Sequence, residues 1–236
     1  MISNPDYGID APPVISGLYI AGILFCAGAS FGLAYGIYSL ILFMVIIFFG
    51  LLFITIGLLM RHSSKKGKIS ERDKLIDSLK LNGNETFLDL GCGKGLLLIA
   101  AAKKLKSGKA IGIDTWNAKD LAMNHPETTI HNALLENVRD RVEVITGDMR
   151  NLPLRENSVD IIAASMAIHN VNSKQERKKT MQEINRVLKP GGKIAILDFK
   201  CTDEYVNELK ELGRSNVSLS ELKFGMFPPV RIVTVN

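Results

Sequence analysis

Hydrophobic positions follow two different patterns along the chain, and the change falls near residue 60. From Ala11 to Met60 run 50 residues without a charged side chain or a histidine, whereas all 29 Lys and Arg stand at Arg61 or beyond. A bilayer-crossing helix needs about 20 apolar residues, so this length fits two helices and a short connection better than one over-long helix. The expected spans are 14–34 and 39–60, with an uncharged turn at 36–39. After Arg61 apolar runs of strand length alternate with amphipathic segments. Helices are expected at 70–80, 96–105, 126–137, 174–188 and 203–212, the first capped by Ser70 with Asp73 three residues on. Strands are expected at 86–90, 110–113, 142–145, 159–163, 193–197, 217–224 and 230–235. Near-continuous apolar strands alternating with helices predict an α/β fold with a doubly wound, mostly parallel, seven-stranded sheet. The last two strands have no helix between them, only a turn containing Pro228 and Pro229, so they should close the C-terminal edge as an antiparallel pair.

This pattern divides the chain into an N-terminal segment (1–13), a transmembrane hairpin (14–60), a basic linker (61–69) and a folded domain (70–236). A cleaved signal peptide would carry a basic start and a short apolar core, but residues 1–13 hold Asp6 and Asp10 and no Lys or Arg. Arg61, Lys65, Lys66, Lys68, Arg72 and Lys74 crowd the exit of the second span. The positive-inside rule then keeps that end in the cytoplasm and makes this an integral membrane protein with a cytoplasmic domain. The same cluster could touch anionic lipid, although the rule accounts for it without a lipid site. Gly28, Gly32 and Gly36 recur at four-residue spacing, a stripe for close packing against the second helix or, as the lesser alternative, for a homodimer.

Charge and cysteine usage exclude some classes. The part from Arg61 onward has 29 basic against 22 acidic residues. Some of that excess is the membrane flank, and Lys174, Arg177, Lys178 and Lys179 read as a solvated helix face. Nucleic-acid binding would interleave basic residues with stacking aromatics, and Trp116 is the only tryptophan. Cys26, Cys92 and Cys201, with four scattered histidines, show no zinc or disulfide spacing, so no metal site is expected.

Candidate chemistry concentrates in the run FLDLGCGKG, residues 87–95. A short apolar strand ends in an acid, three glycines follow at alternate positions, and a helix starts at once. Such a turn lets the backbone approach a ligand, with the N–H groups of the new helix favouring an anion. In doubly wound sheets ligands sit at the carboxyl ends of the strands. There the second strand delivers Asp114, with Thr115 and Trp116 next, and an acid about twenty residues past a glycine turn commonly accepts from ribose hydroxyls. An NAD site would satisfy this much. Its fingerprint is G-x-G-x-x-G, however, and here Leu96 stands where the third glycine belongs.

Four ordered motifs narrow the choice: FLDLGCGKG, the acid ending IGID at Asp114, the stretch GDMRNLP at 147–153, and RVLKPGG at 186–192. Together, over roughly 80–235, they resemble a class I S-adenosylmethionine-dependent methyltransferase, which has a Rossmann-like fold. The resemblance implies S-adenosylmethionine as cofactor. It places the amino-acid end of the cofactor at Asp89 and the turn of Gly91, Cys92, Gly93 and Gly95, and the ribose at Asp114 with Thr115 beside it. It places the adenine at Asp148 and Met149. Ser165, at the end of the fourth strand, completes the cofactor set.

The acceptor is less legible. Methyl transfer asks the protein to align a nucleophile and, where needed, remove its proton. His169 could be that base, or His169 and Asn170 could brace their loop by hydrogen bonds. The segment 116–125, with Asn117, Asp120 and Asn124, would cap the site, and Trp116 would be a pocket wall or part of the core. The N/D-P-P-Y signature of enzymes that methylate amino groups of bases or glutamine is absent, and too few cysteines are present for an arsenite methyltransferase. A small-molecule or lipid acceptor remains, and a membrane anchor favours a lipophilic one. The rival classes are a tethered cofactor-binding module without turnover and an NAD-dependent oxidoreductase.

Overall fold

A computed structural model of the chain describes residues 4–117, 121 and 124–236. The apolar stretch forms α1 (Pro12–Ala34) and α2 (Leu40–His62), and the hydroxyl of Ser39 caps α2 by accepting from Leu42 N. Both helices are long and apolar enough to cross a membrane, and only 17% and 11% of their apolar windows are buried, so neither is a core helix. The expected glycine stripe is not the face that packs against the second helix. Gly28 and Gly36 meet open space and Gly32 lies against the Tyr38 ring. The helices instead approach through Gly22 and Gly50: a Cβ on Gly22 would stand 2.7 Å from the Gly50 carbonyl, and one on Gly57 2.7 Å from the Tyr19 ring. Gly36 is in the turn with φ +65°, which takes it out of the four-residue register.

No break follows at 61–69. The chain stays helical through a single π turn, Ser63–Gly67, into α3 (Lys68–Leu79), so Ser70 lies inside a helix rather than capping one. The cause is close packing at the turn. Ser63, Ser64 and Gly67 are buried, Ser63 Oγ accepts from Phe227 N at 2.9 Å, and Gly67 admits the carbonyl of Gly225 where any Cβ would collide.

Next come β1 (Thr86–Leu90), α4 (Leu96–Lys104), β2 (Lys109–Asp114), α5 (Pro126–Leu135), β3 (Val142–Thr146), β4 (Val159–Ser165), α6 (Lys174–Val187), β5 (Leu188–Asp198), α7 (Thr202–Glu211), β6 (Val217–Leu219) and β7 (Arg231–Val235). The sheet order is β3-β2-β1-β4-β5-β7-β6, parallel except that β7 runs antiparallel to both neighbours. This is the expected doubly wound, Rossmann-like sheet with its antiparallel edge pair. Side-chain alternation sends Phe87, Ile161 and Ala163 toward α3 and α4, and Leu88, Ile162 and Ala164 toward α6 and α7. Both faces are therefore buried, as a parallel sheet requires.

Two boundaries differ from expectation by more than two residues. β6 stops at Leu219 rather than 224, because Ser220 turns its hydroxyl to Ile232 N at 2.9 Å and the chain leaves the ladder, touching it again only at the Lys223 and Val230 bridge. β5 begins at Leu188, where a helix end was expected, since Leu188 pairs with Val159 before an irregularity in the register.

Candidate functional site

The strand order reverses at β1, whose neighbours β2 and β4 both run parallel to it, so a crevice opens at their carboxyl ends. Gly91, Gly93 and Gly95 take left-handed φ values of 69°, 49° and 84°, and a Cβ on Gly91 would collide with that of Ala167. Four of the turn's donors are used within the protein. Gly91 N and Cys92 N both donate to Ile113 O at 2.8 and 3.2 Å, Gly95 N donates to Cys92 O, and Gly93 N donates to Asp114 Oδ2 at 2.8 Å. These four hydrogen bonds shape the turn and occupy the amides that make them.

The cleft is instead rich in acceptors. Asp89 is buried and accepts from Leu98 N at 2.9 Å. Burial pushes its carboxyl up to about 7, against the pull of the Leu98 N–H, with the Asp114 charge adding to the rise. The buried Cys92 thiol is pushed well up as well, by burial first and then by Asp89 and Asp114. Asp114 accepts from Trp116 N at 2.7 Å and from Asn124 Nδ2 at 3.2 Å through Oδ1. That leaves Asn124 Oδ1 buried without a partner, at the wall of a cavity of about 210 Å³.

Asp114, Thr115, Asp148, Met149 and Gly91 line this cavity, so five of the predicted cofactor residues converge there. Arg150, which sequence reasoning passed over, also lines it. It donates to both Asp148 oxygens at 2.9 Å and to Glu176 at 2.8 Å, and holds the Asp148 carboxyl below the usual carboxylate range. Trp116 does not form a wall. Its left-handed φ of 60° turns the indole away, where Nε1 donates to Thr146 Oγ1 at 2.8 Å and the ring packs on the core. Asn117 and Asn124 of the expected cap do line the cavity, while Asp120 lies outside the described residues.

A second chamber of about 100 Å³ shares Gly91 and Met166 with the first and adds Asp89, Cys92, Gly93 and Ser165. Gly95 lines neither chamber; it packs against Ile99 and Thr129 at the start of α4. His169 is likewise absent from both linings. Its ring lies edge-on to Phe199, its backbone N donates to Asp198 Oδ2 at 3.3 Å, and Nδ1 stands 2.7 Å from Asp198 Oδ1 without hydrogen-bond alignment. The buried Asp198 draws the histidine away, leaving its neighbours Ala167 and Asn170 to face the cleft.

The N-terminal segment is the largest feature missed. Tyr7 and Asp10 line the second chamber, together with Lys68 and Met226. Lys68 Nζ donates to Tyr7 O, Gly8 O and Asp10 Oδ1 at 2.9, 2.7 and 3.0 Å; Lys94 pairs with Asp6 at 3.1 Å; and the buried Asn132 side chain bonds to both backbone groups of Asp6. The segment before the first apolar helix is therefore a strap across the cleft. The sequence signal available was weak: a tyrosine, a glycine and two acids in a stretch with no periodicity.

Residues 88–196 match the model of a methyltransferase domain. That part of the chain is a methyltransferase domain. A demethylmenaquinone methyltransferase of Lactobacillus johnsonii is 34% identical over 143 residues, covering 60% of this chain and 54% of that protein. A 2-phytyl-1,4-naphtoquinone methyltransferase of Nostoc punctiforme is 33% identical over 119 residues, covering 50% and 47%. The chain thus spans about half the length of these curated relatives. Among solved structures, an S-adenosylmethionine-dependent methyltransferase from Aquifex aeolicus superposes with a TM-score of 0.55 at 21% identity, over 71% of this chain and 90% of that one, a likeness of fold. The methyltransferase cleft suits the family's cofactor. S-adenosylmethionine presents hydroxyl, amino and ammonium donors, and the cleft offers the carboxylates of Asp89 and Asp114 and the unpartnered Asn124 Oδ1. The third glycine of an NAD fingerprint is missing, so the oxidoreductase reading is set aside.

Proposed function

We propose that the chain is a membrane-anchored methyltransferase that methylates a lipophilic, quinone-like acceptor at the cytoplasmic membrane surface. The observation that carries this reading is the continuity of the apolar helix with the cleft: Lys68, six positions after the last residue of α2, lines the second chamber. The quinone relatives support the acceptor class. Asp89 and the glycine turn hold the amino-acid end of the cofactor, Asp114 with Thr115 and Asn124 the ribose, Asp148 and Met149 the adenine, and Ser165 closes the second chamber.

When bound, the cofactor supplies an electrophilic methyl group on a sulfonium centre. The chain's own part is alignment and exclusion of water. The strap and Met226 shield the second chamber, and Met166, with φ 55° at the end of β4, stands between the two chambers. His169 acts as a positioning residue, bracing through Asp198 the turn that presents Ala167 and Asn170.

The test is incubation of the full chain, reconstituted in vesicles, with methyl-labelled S-adenosylmethionine and a membrane lipid extract. A labelled product in the lipid phase is expected. Binding of S-adenosylhomocysteine without any labelled product would leave a tethered binding module. Asp114→Ala removes the acceptor that Gly93, Trp116 and Asn124 share, and should weaken S-adenosylhomocysteine binding by about tenfold or more in calorimetry.

A further inference from the structure

The segment joining β6 to β7 carries side chains that a water-facing loop does not explain. Phe224 is 78% exposed, more than any other large apolar side chain described in the folded domain, and Leu222, two residues before it, is 47% exposed. Neither packs on the core clusters. Their neighbours, in contrast, are firmly placed. Val230 pairs with Lys223 across the loop, Met226 is buried at the second chamber, Gly225 lies against Gly67, and Phe227 N donates to Ser63 Oγ at 2.9 Å.

These anchors fix where the loop sits. Ser63 directly follows the last residue of α2, so Phe227 touches the point at which the apolar helix ends. Phe224 lies three residues away, a reach of at most about 11 Å along the chain. The exposed Arg61, Lys65 and Lys66 stand at the same level of the helix. A bilayer crossed by α2 would place its headgroup layer there, and the loop would meet it from the side. Held at both ends, Phe224 and Leu222 lose little freedom on entering that layer, and each gains by leaving water.

Resting on the reading of α1 and α2 as a membrane hairpin, we propose that the loop 221–228 inserts Leu222 and Phe224 into the interfacial layer of the bilayer beside α2. Because Met226 of the same loop lines the second chamber, the insertion sets the mouth of that chamber at the lipid surface. A lipophilic acceptor then reaches the cleft from the bilayer rather than through water.

The experiment uses the full chain in vesicles of phosphatidylcholine and phosphatidylglycerol whose acyl chains are brominated near the headgroups. Wild-type protein has one tryptophan, Trp116, so emission added by Phe224→Trp reports the loop, and Leu222→Trp serves as a second, independent probe. Alkaline carbonate extraction of the same vesicles reads the hairpin separately. Retention of the chain with at least about twofold quenching of the added emission is expected from an apolar side chain held in the interface. Retention with both probes unquenched and emitting as in water overturns the insertion while leaving the anchor intact. Release by carbonate overturns the anchor, and the insertion with it.

Discussion

Asp89 is buried in the wall of the cleft and touches one amide, a costly position for a carboxylate. Its folded value near 7 stands above the ordinary 3.8, so the folded protein holds this proton more tightly than the unfolded chain does. The sign follows directly. Between about pH 4 and pH 7 stability falls as pH rises, the full cost is present above 7, and none remains well below 4. Asp89→Asn keeps an acceptor for Leu98 N and removes the charge. Its melting temperature should exceed wild type at pH 8, by a stability gain on the order of 1–4 kcal/mol, and the gain should close as pH is lowered toward 4. Calorimetry across that range checks it, and an equal gain at every pH would contradict the raised value. The same variant should bind S-adenosylhomocysteine more weakly, since it loses the carboxylate proposed for the amino-acid end. At this scale the motif residues were legible because their backbone conformation is written locally, in glycines at alternate positions and an acid at each strand end. The sequence leaves Trp116 and His169 between two roles each. A left-handed φ at Trp116 and a buried Asp198 29 positions from His169 turn those side chains aside, and no local pattern reports either.

Elements were legible where one periodicity decided them, as in β1, β2 and β4 with their near-continuous apolar runs. The join between α2 and α3 was misread because a basic, serine-containing stretch resembles a linker, while its burial comes from residues more than 150 positions away in the chain. Gly67 carries the consequence. Alanine in a helix is ordinarily favoured over glycine by roughly 0.5–1 kcal/mol, yet here its Cβ would collide with the Gly225 carbonyl, and backbone cannot swing aside as a side chain does. Overpacking of this kind costs about 1–3 kcal/mol, so the clash outweighs the propensity. Gly67→Ala should therefore lower the melting temperature, and a stabilised variant would show that the 225–227 loop is not seated on the turn.

For the molecule as a whole, the chain enters and leaves the apolar hairpin beside the cleft. Asp10, one residue before Ala11, is held by Lys68 and Ser64, and Ser63 directly follows α2, so both ends of the hairpin are tied to the same part of the domain. Two ties resist swivelling where one would act as a hinge. The strap also supplies Tyr7 to the second chamber and the acidic partners of two buried lysines, Lys68 and Lys94. Removing only the Asp10 carboxylate is the sharper perturbation, because Lys68 then stays buried beside two carbonyls without its paired carboxylate, the Asp6 charge reaching it only from a distance, whereas deleting the strap would return it to water. Asp10 is partly exposed, so the cost should be about 1–2 kcal/mol rather than that of a fully buried pair. Asp10→Ala should thus lower the melting temperature of the full chain and weaken S-adenosylhomocysteine binding severalfold, while Asp10→Asn, which keeps an acceptor for Lys68 and Ser64, should recover part of both. A loss of stability with unchanged binding would make the strap a fastening of the hairpin alone; a parallel loss of both, partly recovered by Asn, makes it a wall of the methyltransferase cleft.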